Sequence, residues 1–259
     1  MTYTREQCEH FNRECESLSE ALQRLELQVV VQGQSLDSAS RLREHLLHGA
    51  ARRIGVIRRA VKNIYVLFPP ETVRPLDADA LADLQINLHA FVMNLSGLYD
   101  NWAWAYVLKH DLEDVIGDRR RIGLFLDSTR RKLPANLREY LSSPAIADWH
   151  EQYVKSFRDA LAHRIPPYIP PAQFTPDEGN LYGDLENEKA ASIKAHRWQR
   201  LDEIYEEQGA LGLPCPYFLH AYNEETAPRL FYLHPQILSD GAAVVEFGNL
   251  FLQNWHQEA

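Results

Sequence analysis

The sequence predicts a mainly α-helical fold with one small β-hairpin toward its C-terminal end, and three observations carry that prediction. Apolar residues recur every three or four positions over most of the chain, which is the period of one helix face. The long periodic runs halt at Gly33, Pro69-Pro70 and Pro166-Pro167, where helical backbone is disfavoured. Two short aromatic-rich runs, 217–222 and 229–233, flank a turn-forming stretch at 223–228 and read as a hairpin.

Taken in order, the first helix spans 4–31, with Phe11, Leu18, Leu22, Leu25 and Val29 set among Glu, Arg and Gln. A second runs 37–68 and is stopped by Pro69-Pro70, which cannot donate backbone hydrogen bonds. Asp77 or Asp79 caps a third, whose stripe Leu84, Leu88, Phe91, Leu95, Leu98, Trp102, Tyr106 continues toward Val115. Within it, Tyr99-Asp100-Asn101-Trp102-Ala103-Trp104 is an aromatic cluster read as core packing. A short helix over 134–141 precedes a fourth substantial one over 146–163, with Trp149, Tyr153, Phe157, Ala160 and Leu161 on its buried side. Ile165-Pro166-Pro167-Tyr168-Ile169-Pro170-Pro171 is expected to lie extended on the surface. A polar helix over 183–208 carries only Ile193, Trp198, Leu201 and Tyr205 as a thin stripe, and a closing helix spans 235–256. The expected division is an N-terminal helix at 1–36, a helical bundle at 37–165, and a connector, polar helix, hairpin and closing helix at 166–259 packed on the bundle.

With 259 residues, 45% of them hydrophobic, the chain can bury a core without disulfides or a structural metal. Cys8, Cys15 and Cys215 show no Cys-x-x-Cys spacing, so reduced thiols are expected. No run approaches the roughly 18 apolar residues of a membrane span, and the first residues show no signal-like apolar stretch, so the expectation is a cytoplasmic chain with no membrane partner. A net charge of -9 argues against a protein coated in nucleic acid. Positive charge is nonetheless clustered: seven Arg and Lys lie between Arg41 and Lys62 against the single acid Glu44. A second cluster comprises Arg119, Arg120, Arg121, Arg130, Arg131 and Lys132, the expected weak RNA-binding surface.

The glycine-rich phosphate loop, Gly-x-Gly-x-x-Gly, His-Glu-x-x-His and Gly-x-Ser-x-Gly are all missing, which disfavours the common nucleotide, zincin and hydrolase readings. His45 and His48 sit three apart with no matching carboxylate nearby, so neither a metal nor a cofactor is expected. An Arg-x4-His spacing occurs at Arg5/His10, Arg43/His48, Arg158/His163 and Arg229/His234, so the spacing alone selects nothing. Context selects Arg158/His163, which lies in the last turns of an amphipathic helix halted by Pro166-Pro167. Residues five apart on a helix are rotated by about 140°, whereas Asp159 and His163, four apart, nearly share a face. Asp159 is therefore expected to orient the imidazole, with the long Arg158 side chain reaching round or across a subunit interface. A histidine beside a permanent guanidinium suits phosphodiester cleavage, one moving a proton and the other holding the phosphate.

The helices at 37–68, 77–116, 134–142 and 146–164, closing on Arg158-Asp159-Ala160-Leu161-Ala162-His163, resemble the HEPN (higher eukaryotes and prokaryotes nucleotide-binding) family. The resemblance covers about half the chain and implies a helical bundle that dimerises with the two motifs facing each other. In many members it implies a metal-independent endoribonuclease; others are non-catalytic binding or scaffold modules. Carried over, Arg158 and His163 are the catalytic pair and Asp159 the polar second position, where asparagine or histidine is more familiar. Some toxins of the family carry a tyrosine two residues past the histidine; here that residue is Ile165, and Tyr168 is the nearest tyrosine downstream. Two functions stay open: an RNA-cleaving homodimer, and a non-catalytic binding or assembly module in which Arg158, Asp159 and His163 form a structural network. The Pro-rich segment is a further expected contact for a protein partner, since Pro167-Tyr168-Ile169-Pro170 has Pro-x-x-Pro spacing.

Overall fold

The computed structural model describes residues 3–221 and 227–255. Helix α1 (Arg5–Gln34) starts from a reciprocal cap in which Thr4 Oγ1 accepts the Gln7 N–H and Gln7 Oε1 accepts the Thr4 N–H. Its stripe of Leu18, Leu22, Leu25 and Val29 is buried, as the three-and-four spacing predicts. The predicted second helix is one helical run with an irregular turn inside it: α2 (Arg41–Glu44), a π turn at His45–Ala51, then α3 (Arg52–Leu67). It ends at Phe68, whose φ of -138° leaves the helical region just before Pro69.

Helix α4 (Ala78–Lys109) is capped by Asp77, whose carboxylate accepts the Ala80 N–H at 2.8 Å, and it ends before the predicted Val115. The chain turns there through Asp111, at φ 52°. Trp102, fully buried, packs on Phe251 with ring centroids 4.5 Å apart, so this part of the aromatic cluster is core. Short elements follow: α5 (Glu113–Ile116), a 3-10 turn at Arg119–Arg121, α6 (Asp127–Arg130) and α7 (Ala135–Ser142). The fourth predicted helix again contains a π turn, with α8 (Pro144–Trp149), His150–Lys155, and α9 (Ser156–His163) in one run.

The Pro-rich segment is extended but less superficial than expected. Tyr168 exchanges two backbone hydrogen bonds with Leu219, Pro167 and Ile169 are buried, and α4 holds the segment through His89 to the Pro167 carbonyl and Gln85 to the Ile169 N–H. The single polar helix expected over 183–208 is instead two: α10 (Pro176–Lys194) and α11 (Trp198–Gly209), parted at His196, whose φ is 54°. The two pack on each other, and Arg200 of α11 joins them by an ion pair to Glu188 of α10, while also pairing with Glu203 and Glu207 on its own helix.

Strands β1 (Tyr217–His220) and β2 (Arg229–Tyr232) form an antiparallel hairpin with Tyr217 opposite Tyr232. Of the turn expected at 223–228, residues 223–226 lie outside the described residues, as does His256 at the expected end of the closing helix. Helix α12 (Leu233–Gln253) packs along α1, and the buried stripes of α1, α3, α4 and α12 belong to one hydrophobic core. The fold is thus mainly helical with one small C-terminal hairpin, as predicted. Among the described residues no helix is long and apolar enough to cross a membrane.

The α1–α12 contact depends on small residues. A Cβ added at Gly248 would lie 2.6 Å from Leu25 Cδ2 and 2.8 Å from its Cδ1, and Leu25 is itself fully buried. Gly248→Ala is expected to cost about 1–3 kcal/mol through overpacking, read as a lower urea midpoint at unchanged slope.

Candidate functional site

Residues 158–163 close the helical run that begins at Pro144, and the preceding π turn inserts one extra residue per turn just before them. Arg158 lies on the wall of an open cleft of about 610 Å³ between this run, α4 and the loop after the 3-10 turn. Its side chain is 42% exposed, and its Nη1 pairs with Asp159 Oδ1 at 3.2 Å. The Arg158 Nε is buried with no hydrogen-bond acceptor among the described residues.

Asp159 thus faces the arginine rather than the histidine. His163 is exposed at the end of α9, does not line the cleft, and has no hydrogen-bond or ion-pair partner among the described residues. Within one chain, Arg158, Asp159 and His163 therefore do not make one three-residue network. The other Arg-x4-His copies fall elsewhere: Arg5 and His10 are exposed on α1, and His48 lines a second cleft. His234 is a core residue, fully buried, with Nε2 2.8 Å from the Phe68 carbonyl oxygen and its ring stacked on Phe68. Burial drives its pKa down to about 4, so it stays neutral.

Of the six expected RNA-contacting residues, the cleft gathers Arg120 and Arg130. Arg130 and Arg131 both pair with Asp127, and Arg119 lies 4.0 Å from Glu113. Lys155 joins Arg120, Arg130 and Arg158 on the cleft lining, opposite the acids Asp100, Asp148 and Glu151, which leaves a slight positive excess.

Two lining residues escaped the sequence reading. Asp100 projects from α4 beside its apolar stripe and lines the cleft, where desolvation raises its carboxyl pKa while Arg158 and Arg53 oppose that shift. An acid flanked in sequence by so many apolar residues was the available signal. His150 sits at the start of the π turn, its ring stacked on Phe125 at 3.6 Å and 12°. Burial lowers its pKa to about 4, so the cleft holds a neutral imidazole near pH 7.

Comparison with models of protein families, with curated proteins and with solved structures finds no match. The chemistry of the cleft is accordingly argued from its own side chains: guanidinium and ammonium groups to hold an anion, a carboxyl under the influence of two arginines, and a neutral imidazole against an aromatic ring.

Proposed function

We propose that this chain acts on RNA as a metal-independent endoribonuclease of the HEPN type, working as a homodimer with Arg158 and His163 as its catalytic pair. The observation that supports the reading best is the position of Arg158: on the wall of an open cleft, its side chain partly exposed, with Arg120, Arg130 and Lys155 on the same lining. In this reading Arg158 holds the scissile phosphate and Asp159 positions the guanidinium. The exposed His163 meets the phosphate from a second copy. It takes the proton of the ribose 2′-hydroxyl as that oxygen attacks phosphorus, and a proton returns to the departing 5′-oxygen, leaving a 2′,3′-cyclic phosphate and a 5′-hydroxyl.

The test incubates the purified full chain with single-stranded RNA in chelator, beside DNA of the same sequence. Wild type is expected to cut RNA and spare DNA, while Arg158→Ala and His163→Ala leave RNA intact. Equal cleavage by wild type and His163→Ala overturns the proposal.

One observation favours a second reading. His163 stands outside the Arg158 cleft of its own chain, so a chain that remains monomeric brings no catalytic pair together. The cleft then binds an anionic partner without cutting it. RNA binding without cleavage, weakened in Arg120→Ala, together with a monomer in sedimentation, is the outcome that selects this reading.

A further inference from the structure

A second open cleft, of about 510 Å³, lies between α4 and the π turn His45–Ala51, and its lining includes His48, Arg52, Arg53, Asn94, Asn101 and Glu44. Arg53 is seated with care. Its Nε donates to Asn101 Oδ1 at 2.9 Å and its Nη1 to Asn94 Oδ1 at 3.2 Å, both neutral acceptors. No carboxylate is within ion-pair distance of it among the described residues, and its Nη2 has no acceptor there. Arg52 and His48 are exposed on the same lining, with no hydrogen-bond or ion-pair partner among the described residues.

The backbones on both sides make room for this arrangement. A Cβ at Gly97 would lie 2.5 Å from Arg53 Cζ, and a Cβ at Gly49 would lie 2.4 Å from Asn101 Nδ2. Either side chain would displace the guanidinium or the amide that holds it. Gly49 also falls inside the π turn, an irregularity that weakens a helix and recurs where side chains are re-aimed toward a ligand. Two guanidiniums in one cleft, one held by neutral amides and one unpartnered, match an anion with several terminal oxygens better than a single carboxylate. Glu44 is the single acid of the lining, and a carboxylate beside an anion site accepts hydroxyl hydrogen bonds, as it does from ribose in other folds. The volume falls within the roughly 300–1,000 Å³ of small-molecule sites.

We infer that this cleft binds a hydroxylated phosphate monoester, with Arg52 and Arg53 on the phosphate and Glu44 on the hydroxyls. The free sugar phosphate and the ribose phosphate of a nucleotide share that chemistry. The inference stands independently of RNA cleavage, since none of the residues that carry it lines the Arg158 cleft.

Titration calorimetry on the full chain tests it with ribose 5-phosphate, adenosine 5′-monophosphate, inorganic phosphate and ribose. Both monoesters are expected to bind saturably, inorganic phosphate to compete, and ribose not to bind. Arg52→Glu, an exposed change that leaves the core alone, and Arg53→Met should each weaken binding about ten-fold or more, while Arg158→Ala leaves it unchanged. Tighter binding of the nucleotide, or of the free sugar phosphate, identifies the source, and either supports the site. Absence of saturable binding, affinity unchanged in Arg52→Glu, or loss in Arg158→Ala alone would overturn the inference.

Discussion

His163→Ala is expected to fold with the stability of the wild type and to lose RNA cleavage by about 10²–10⁴-fold, the contribution of a positioned proton-transfer group. The two halves of that expectation rest on different observations. Stability is unaffected because the imidazole is exposed and unpartnered among the described residues, and such surface changes stay within about 0.5 kcal/mol. Activity falls because the proposed mechanism gives His163 the only proton transfer assigned to a residue. Measuring melting temperature and cleavage rate on the same preparations separates them. His150→Gln is the informative companion, because His150 lines the Arg158 cleft of its own chain and is neutral near pH 7. If His150→Gln is inactive and His163→Ala is fully active, the proton-transfer role belongs inside the single chain.

The second large effect concerns Asp240, a wholly buried acid on α12. Trp149 Nε1 and Gln236 Nε2 each donate to its Oδ1 at 2.8 Å. Burial raises its pKa from 3.8 to about 7, against the two hydrogen bonds, which favour the charged form. The sign follows from proton counting. Between about pH 4 and pH 7 the unfolded chain has released this proton and the folded chain still holds it, so this residue's contribution to stability falls as pH rises. Above about pH 7 both states are ionised and the loss is complete. At about 1.4 kcal/mol per pH unit, the upper bound is about 4 kcal/mol. Asp240→Asn keeps an acceptor for Trp149 and has no charge to bury. It is expected to match wild type near pH 4 and to be the more stable protein at pH 8, by up to that amount, in urea unfolding. A difference between the two proteins that does not change with pH would contradict the assignment.

The helices were legible because each buries one face, and Leu18, Leu22, Leu25 and Val29 on α1 repeat at the spacing a buried face requires. The π turns were not. A single extra residue at His45–Ala51 or His150–Lys155 shifts the phase of the pattern without interrupting it, so an apolar stripe reads straight through. Nor was the break between α10 and α11 marked by Gly or Pro. His196 takes the positive φ there, in a stretch whose polar faces carry little periodicity. Arg158 was selected by its context at a helix end, and the structure does place it in a cleft. Its neighbours were hidden for a different reason. Arg120, Asp100 and His150 come from three separate elements, the 3-10 turn, α4 and the π turn at His150–Lys155, and the packing of the fold puts them on one lining.

The pairing of α1 with α12 has a consequence for how the chain acquires its fold. The stripe that begins at Leu18 finds its partners Gly241 and Gly248 more than two hundred residues later. On the ribosome, α1 and α3 meet long before α12 emerges, leaving Leu18 and Leu25 without the surface that finally covers them. Closure of the core is therefore a late, long-range event, and loop-closure entropy must be met before that contact stabilises anything. The early helices pass through a period of synthesis with an uncovered apolar seam, the condition under which growing chains associate wrongly or engage chaperones.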